Sequence, residues 1–174
     1  VLPEPTRGQA ETVLKGLEQV HAEGAERLLI FNIDTIRPGF RFAREYVESD
    51  GCLEVFPGDG EHWSFVRPAG DGSQRVLETT EKRRISNLCS TGLYYFARLG
   101  DFQRLCTAAV SDADNFCREW RELYVAPLYN AFIAGGADVR YHQVDPKEVV
   151  FSGTPQEYED MLRGHSAATS SPAP

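Results

Sequence analysis

Basic residues are in short supply. Eighteen Lys and Arg stand against 26 Asp and Glu, giving a net charge of −8. That deficit argues against non-specific binding to nucleic acid or to acidic membranes, since both need a basic surface. A local basic pocket for a phosphate is still compatible with it. Long apolar runs are lacking as well, and no segment approaches the roughly 20 apolar residues of a membrane span. The four cysteines, Cys52, Cys89, Cys106 and Cys117, show neither C-x-x-C nor Cys/His ligand spacing. The first three lie among apolar neighbours and read as buried free thiols. No secretory signal is visible, which makes a reducing cytoplasm the default compartment. G-x-S-x-G, P-loop and zinc motifs are all missing, and the histidines form no ligand or base–nucleophile pattern. The chain begins at Val1 without a methionine, which leaves room for a segment upstream.

What is present describes one globular unit. The 174 residues are 41% apolar and 11% aromatic, enough for a single domain with a real core. Apolar residues recur at helical spacing over residues 10–20, with Gly24 as a stop. The short run Leu28-Leu29-Ile30-Phe31 then reads as a fully buried strand that delivers Asp34 beyond its end. Strand-like runs follow at 52–56, 63–66, 75–79 and 92–96, the first three separated by Gly-rich turns. Helical patterns cover 102–110, 115–123 and 125–133, and strands return at 139–144 and 149–151. Thr154-Pro155-Gln156-Glu157 caps a closing helix that runs to about residue 162. The expected organisation is an α/β domain over 1–164, a mixed sheet flanked by helices, with a disordered tail at 165–174 rich in Ser, Ala and Pro. A ligand crevice belongs beyond the carboxyl ends of the strands, where Asp34 and Thr91-Gly92 could both face it.

Several residues there could carry chemistry, each with a plainer reading beside it. Thr6-Arg7-Gly8-Gln9-Ala10 marks a helix N-terminus, whose unpaired N–H groups favour acceptors, or simply a helix start. Asp34 is either a turn residue or a Mg²⁺ ligand. Glu81-Lys82, followed by Arg83 and Arg84, is either a solvated charged face or an acceptor for sugar hydroxyls beside a mobile charge for a phosphate. Trp63 either stacks on a ligand or belongs to the core.

The order of these pieces is more specific than any one of them. Thr6-x-Gly8-Gln9-Ala10-Glu11-Thr12-Val13-Leu14, Asn32-Ile33-Asp34-Thr35, Glu61-His62-Trp63-Ser64-Phe65-Val66, Glu81-Lys82 and Ser90-Thr91-Gly92-Leu93-Tyr94-Tyr95-Phe96 follow one another, and Gly153-Thr154-Pro155-Gln156-Glu157-Tyr158 closes the series. The series resembles the sugar-phosphate nucleotidyltransferases, most closely the capsule and surface-polysaccharide branch, over roughly residues 1–162.

The resemblance implies a Rossmann-like nucleotide-diphospho-sugar transferase fold and transfer of a nucleotidyl group from a nucleoside triphosphate to a sugar-1-phosphate or similar phosphorylated substrate. On it, Gly8 and Gln9 meet the nucleotide and Asp34 binds Mg²⁺. Trp63 and Ser64 border the sugar pocket, Glu81 holds hydroxyls, Lys82 the phosphate, and Thr91 and Gly92 the sugar ring. Asp34 and Lys82 are then the catalytic pair. The partners implied are those two substrates, with no nucleic acid and no membrane, and a homo-oligomer is allowed.

Three departures accompany the resemblance. The family's G-x-G-x-R triphosphate loop is not in the chain, so an N-terminal βα portion is expected upstream. Its absence would leave a sheet edge open to association and residues 1–174 alone with little turnover. Pro3 stands where many members carry a base-reading Gln, and Ser152 stands where a second metal-binding Asp is familiar. Two other functions compete: a degenerate sugar-nucleotide-binding or regulatory subunit, and a metal-dependent glycosyltransferase of the related fold. The latter usually carries D-x-D, of which Asn32-Ile33-Asp34 supplies one carboxylate.

Overall fold

The computed structural model describes residues 2, 4–20 and 24–169. Its centre is β6 (Leu88–Phe96), a nine-residue strand whose every residue is buried. Aromatic and aliphatic residues on both of its faces leave it no alternative to a two-sided core. Leu88, Tyr94 and Phe96 join the larger core cluster, while Leu93 and Tyr95 pack on the other side with Tyr46 and Cys52.

Six strands form the main sheet around β6. One flank of β6 is taken by β3 (Gly51–Pro57), antiparallel from Gly51↔Phe96 to Pro57↔Leu88, with an irregularity at Glu54. β7 (Val139–Gln143) then runs parallel to β3. The other flank is shared. β1 (Leu28–Phe31) pairs with Leu93 to Phe96, and β4 (Ser64–Pro68) reaches β6 only through Phe65↔Cys89. β4 continues into β5 (Val76–Glu81) as an antiparallel hairpin. β1 ends and β4 begins on either side of Ser90-Thr91-Gly92, so the sheet splits there. The mixed sheet flanked by helices is the architecture expected from the sequence.

Helices α1 (Gln9–Val20), α3 (Leu99–Ser111) and α5 (Leu128–Ala134) supply Ala10, Phe102, Leu105, Leu128 and Phe132 to the larger core. α2 (Arg44–Val47), a single turn that the sequence pattern did not announce, inserts Tyr46 under the opposite face. β2 (Thr35–Ile36) and β8 (Val150–Phe151) make a separate antiparallel ribbon. α4 (Ala113–Trp120) and α6 (Pro155–Thr169) complete the order.

Some expectations shift. β1 is not fully buried: Leu28 and Ile30 face the core, whereas Leu29 and Phe31 are 37% and 42% exposed. Among the described residues it pairs with β6 alone, and only one of its faces meets the core cluster. α4 stops at Trp120 rather than near 123, because Leu123 uses its backbone elsewhere: its N–H donates to Arg7 O (3.0 Å) and its carbonyl accepts from Ala10 N (2.7 Å). α6 opens on the expected reciprocal cap, with Thr154 N donating to Glu157 Oε2 at 2.9 Å and Glu157 N to Thr154 Oγ1 at 3.2 Å. It runs to Thr169, beyond the end expected near 162. Residues 170–174 of the expected tail, and Pro3, lie outside the described residues. Cys52, Cys89 and Cys106 are buried free thiols, as their neighbours indicated. No helix of the described residues is long and apolar enough to cross a membrane.

Candidate active site

The split in the sheet opens into a cavity of about 800 Å³. Its floor is Ser90, Thr91 and Gly92 of β6, and three groups of residues rise from it.

The first wall comes from the start of α1 and the end of β1. Gln9 donates through Nε2 to Asn32 Oδ1 and accepts weakly from Val125 N at 3.4 Å. Asn32 in turn donates its backbone N–H to Gly92 O at 3.1 Å. Gly92 has φ +86°, and a Cβ there would come within 2.9 Å of Asn32 Cβ and closer to its amide. Glycine is therefore required by the side chain that lies across it. Gln9 lines the cavity; Gly8 does not. At φ +144°, Gly8 sits where a Cβ would lie 2.6 Å from Leu123 N. Its lack of a side chain serves the clasp between the loop before α1 and Leu123.

The second wall is the β4–β5 hairpin, whose register sets Ser64 opposite Glu81. Two residues 17 apart in sequence thus become neighbours, and Ser64 Oγ donates to Glu81 Oε2. The Tyr94 hydroxyl lies 3.4 Å from Ser64 Oγ. Burial raises the Glu81 carboxyl above the usual carboxylate range, offset in part by the Ser64 hydrogen bond and the charge of Lys82. Lys82 leaves the strand in the left-handed region (φ +52°), its N–H held by Trp63 O at 2.9 Å. Its ammonium donates to Tyr124 Oη at 2.7 Å and lies 4.8 Å from that ring's centroid. The Tyr124 hydrogen bond raises its pKa further, so Lys82 stays charged. Trp63 lines the cavity and is also packed, 4.4 Å from the His62 ring, 4.8 Å from Phe151 and edge-on to Phe56 at 5.1 Å.

The third wall is the β2–β8 ribbon. It carries Asp34 at one end, exposed to the cavity. Ser152 N and Oγ both donate to Asp34 O, at 2.8 and 3.0 Å. A Cβ on Gly153 would come within 2.7 Å of Asp34 Oδ2. Ser152 thus fixes the backbone of Asp34, and Gly153 clears space for its carboxylate. Asp145 caps the short turn Pro146–Glu148, and Asp138 pairs with Arg140 at 2.8 Å, so neither joins Asp34. Among the described residues no group of three or more His, Cys, Asp or Glu is placed to hold a metal ion. Asp34 alone still suits Mg²⁺, which binds through one or two carboxylates completed by substrate phosphates and water.

Gln9, Asp34, Trp63, Ser64, Glu81, Lys82, Thr91 and Gly92 are brought together from five parts of the chain. Sequence reading assigned no role to Tyr124 or Asn32. Tyr124 lies in an aperiodic link between α4 and α5, where nothing local marks it. Asn32 was visible only as a neighbour of Asp34.

The fold has solved counterparts. A nucleoside-diphosphate-sugar pyrophosphorylase from Vibrio cholerae is 46% identical over 93% of this chain and 67% of its own, with a TM-score of 0.84. The chain belongs to the sugar-phosphate nucleotidyltransferase family. An inositol-1-phosphate CTP transferase from T. maritima shares the fold at 16% identity, over 90% of this chain and 60% of its own, with a TM-score of 0.60. A UTP-bound UGPase from Acinetobacter baumannii does so at 13% identity, over 95% and 58%, with a TM-score of 0.63. This nucleotidyltransferase chain therefore spans between about 58% and 67% of the length of those proteins. No family model and no curated protein matches it.

Proposed function

We propose that the cavity binds a sugar-1-phosphate, or a similarly phosphorylated polyol, for nucleotidyl transfer from a nucleoside triphosphate. The observation that carries this is the convergence of a charged ammonium, a half-buried carboxyl and an exposed carboxylate on one space, with a glycine floor between them. Lys82 takes the phosphate of the acceptor as a point charge, steadied by Tyr124. Glu81 and Ser64 accept from and donate to ring hydroxyls. Thr91 and Gly92 allow the ring to lie against β6. Gln9, rather than Gly8, is the α1 residue able to reach the nucleotide.

In the reaction, an oxygen of the acceptor phosphate attacks the α-phosphorus of the triphosphate. A phosphorus–oxygen bond forms there, the bond to the bridging β-phosphate oxygen breaks, and pyrophosphate leaves with its electron pair. Such a step needs positioning and charge neutralisation rather than a covalent nucleophile. Asp34 is the residue that would hold Mg²⁺, which would supply charge that neutralises the phosphates. Three buried free thiols suit a reducing cytoplasm, where nucleoside triphosphates are made. The surface-polysaccharide role is supported by motif order alone. A glycosyltransferase reading fits less well, because the Asn32 side chain is taken up by Gln9.

Calorimetric titration of sugar-1-phosphates into residues 1–174 tests the acceptor site. Binding of one sugar-1-phosphate, weakened at least tenfold in Lys82→Ala, is expected. Affinity unchanged by Lys82→Ala would remove the phosphate assignment.

A further inference from the structure

A buried ion pair lies beneath the floor of the cavity, outside the residues that line it. Glu54 sits at the irregularity of β3, its side chain only 1% exposed, and Arg37 follows β2 with a side chain 5% exposed. Arg37 Nε donates to Glu54 Oε1 at 2.7 Å and its NH2 group to Oε2 at 3.2 Å. Glu54 also accepts from Thr91 Oγ1 at 3.0 Å and distantly from Tyr46 Oη at 3.5 Å. Arg37 reaches onward to the carbonyl of Glu148 at 2.5 Å, and the Glu148 carboxylate lies 3.8 Å away.

These contacts join two parts of the site that the sheet does not join. The β2–β8 ribbon, two residues long on each side, carries Asp34 and Gly153. β6 carries Thr91 and Gly92. Phe151 packs the ribbon against Phe56 and Trp63, and at the end opposite Asp34 the Arg37 side chain ties both of its strands, directly and through Glu148, to β3 beside Thr91. Two charges withdrawn from water are a costly way to gain stability, since well-packed apolar residues of similar volume often serve as well. What they supply instead is a bidentate geometry of fixed direction.

We infer that the Arg37–Glu54 pair is a positioning device for nucleotidyl transfer: it sets the distance between the Asp34 wall and the Thr91-Gly92 floor. The inference rests on the transferase reading, in which the sugar ring lies on that floor while Asp34 would hold Mg²⁺ for the phosphates. Neither residue touches substrate; each acts through Asp34 and Thr91. Misplacement of reacting groups by about 1 Å can cost on the order of 100-fold in rate.

The test replaces the pair by apolar residues, Arg37→Met with Glu54→Leu, in the protein expressed from its full reading frame. The double variant is expected to melt close to the wild type and to lose about 100-fold in kcat. The Mg²⁺ concentration for half-maximal rate should rise, while the affinity for the nucleotide, read by calorimetry, stays within twofold. A merely structural role would reduce the active fraction without moving the Mg²⁺ dependence. Should the double variant fail to fold, Arg37→Lys decides. It keeps the charge beside Glu54 but cannot span Glu54 and the Glu148 carbonyl together, and it should show the same Mg²⁺ shift with a smaller loss of rate. Either folded variant with wild-type kcat and Mg²⁺ dependence overturns the inference. A wild type that releases no pyrophosphate but binds a nucleotide-sugar refutes the transferase reading alone. The pair is then judged on whether the double variant weakens that binding at least tenfold. A wild type that neither turns over nor binds removes both.

Discussion

At the scale of single residues, the site depends on a charge, a carboxyl and a missing side chain. Hydrogen bonds to charged groups are worth about 1.5–3 kcal/mol, so Lys82→Ala should weaken a phosphate ligand by about 10- to 150-fold. Tyr124→Phe keeps the ring near the ammonium but drops the hydroxyl that holds it, and its loss should lie between wild type and Lys82→Ala; titration of the same ligand ranks the three. Gly92→Ala places a Cβ against Asn32 at a φ of +86°. Left-handed strain of this kind costs on the order of 1–3 kcal/mol, visible as a lowered Tm, and the Gln9–Asn32 contact should be lost with it. Glu81 gives a pH signature. Its carboxyl is raised by burial, so sugar binding through the ionised form should fail at a higher pH than for an ordinary glutamate. Ser64→Ala removes the hydrogen bond that opposes the shift and should move the inflection higher still. For stability the sign is opposite to that of a salt-bridged acid. A raised carboxyl favours the folded state below the ordinary carboxylate range, and that contribution is lost as pH rises through the raised value.

At the scale of elements, α1 and the β4–β5 hairpin do most of the positioning. Arg7 N and Nε both donate to Glu11 Oε2, at 2.7 and 3.0 Å, and its NH2 group to Oε1 at 3.0 Å. These bonds hold the Glu11 carboxyl down at about 2 and hold the turn that presents Gln9. A depressed carboxyl stabilises the fold above its ordinary range and loses that effect as pH falls toward 2. Glu11→Gln should therefore flatten the acid side of the stability profile, measured by urea unfolding between pH 5 and about pH 2; a profile as steep as wild type would contradict the role given to the Arg7–Glu11 pairing. The elements themselves were largely legible. Period-3.6 apolar spacing gave α1 and α3, and turn residues gave the β4–β5 hairpin. Thr154 and Glu157 gave the α6 cap. What escaped were features set by tertiary partners. α4 ends early because Leu123 is claimed by Arg7 and Ala10. β1 reads as buried because an apolar run does not say which of its faces is covered. α2 and the β2–β8 ribbon are too short to carry a period.

At the scale of the whole molecule, the cavity exists because β1 and β4 share one flank of β6 and leave a gap between them. That gap collects residues from positions 9 to 157 of the chain. Motif order located most of them, since the motifs fall at the ends of elements facing the gap or, for Ser90-Thr91-Gly92, on the stretch of β6 that floors it. Tyr124 and the Arg37–Glu54 pair carried no such signal, because their roles arise only from long-range packing. The central claim is that this assembly transfers a nucleotidyl group to a sugar phosphate. It is tested most directly by Mg²⁺-dependent pyrophosphate release from the protein in its full reading frame, with CTP, UTP, GTP, ATP and dTTP each paired with a panel of sugar-1-phosphates. Release with one pair, abolished in both Asp34→Ala and Lys82→Ala, is the expected result. No release with any pair, while a nucleotide-sugar still binds, would contradict it and leave a binding subunit in its place.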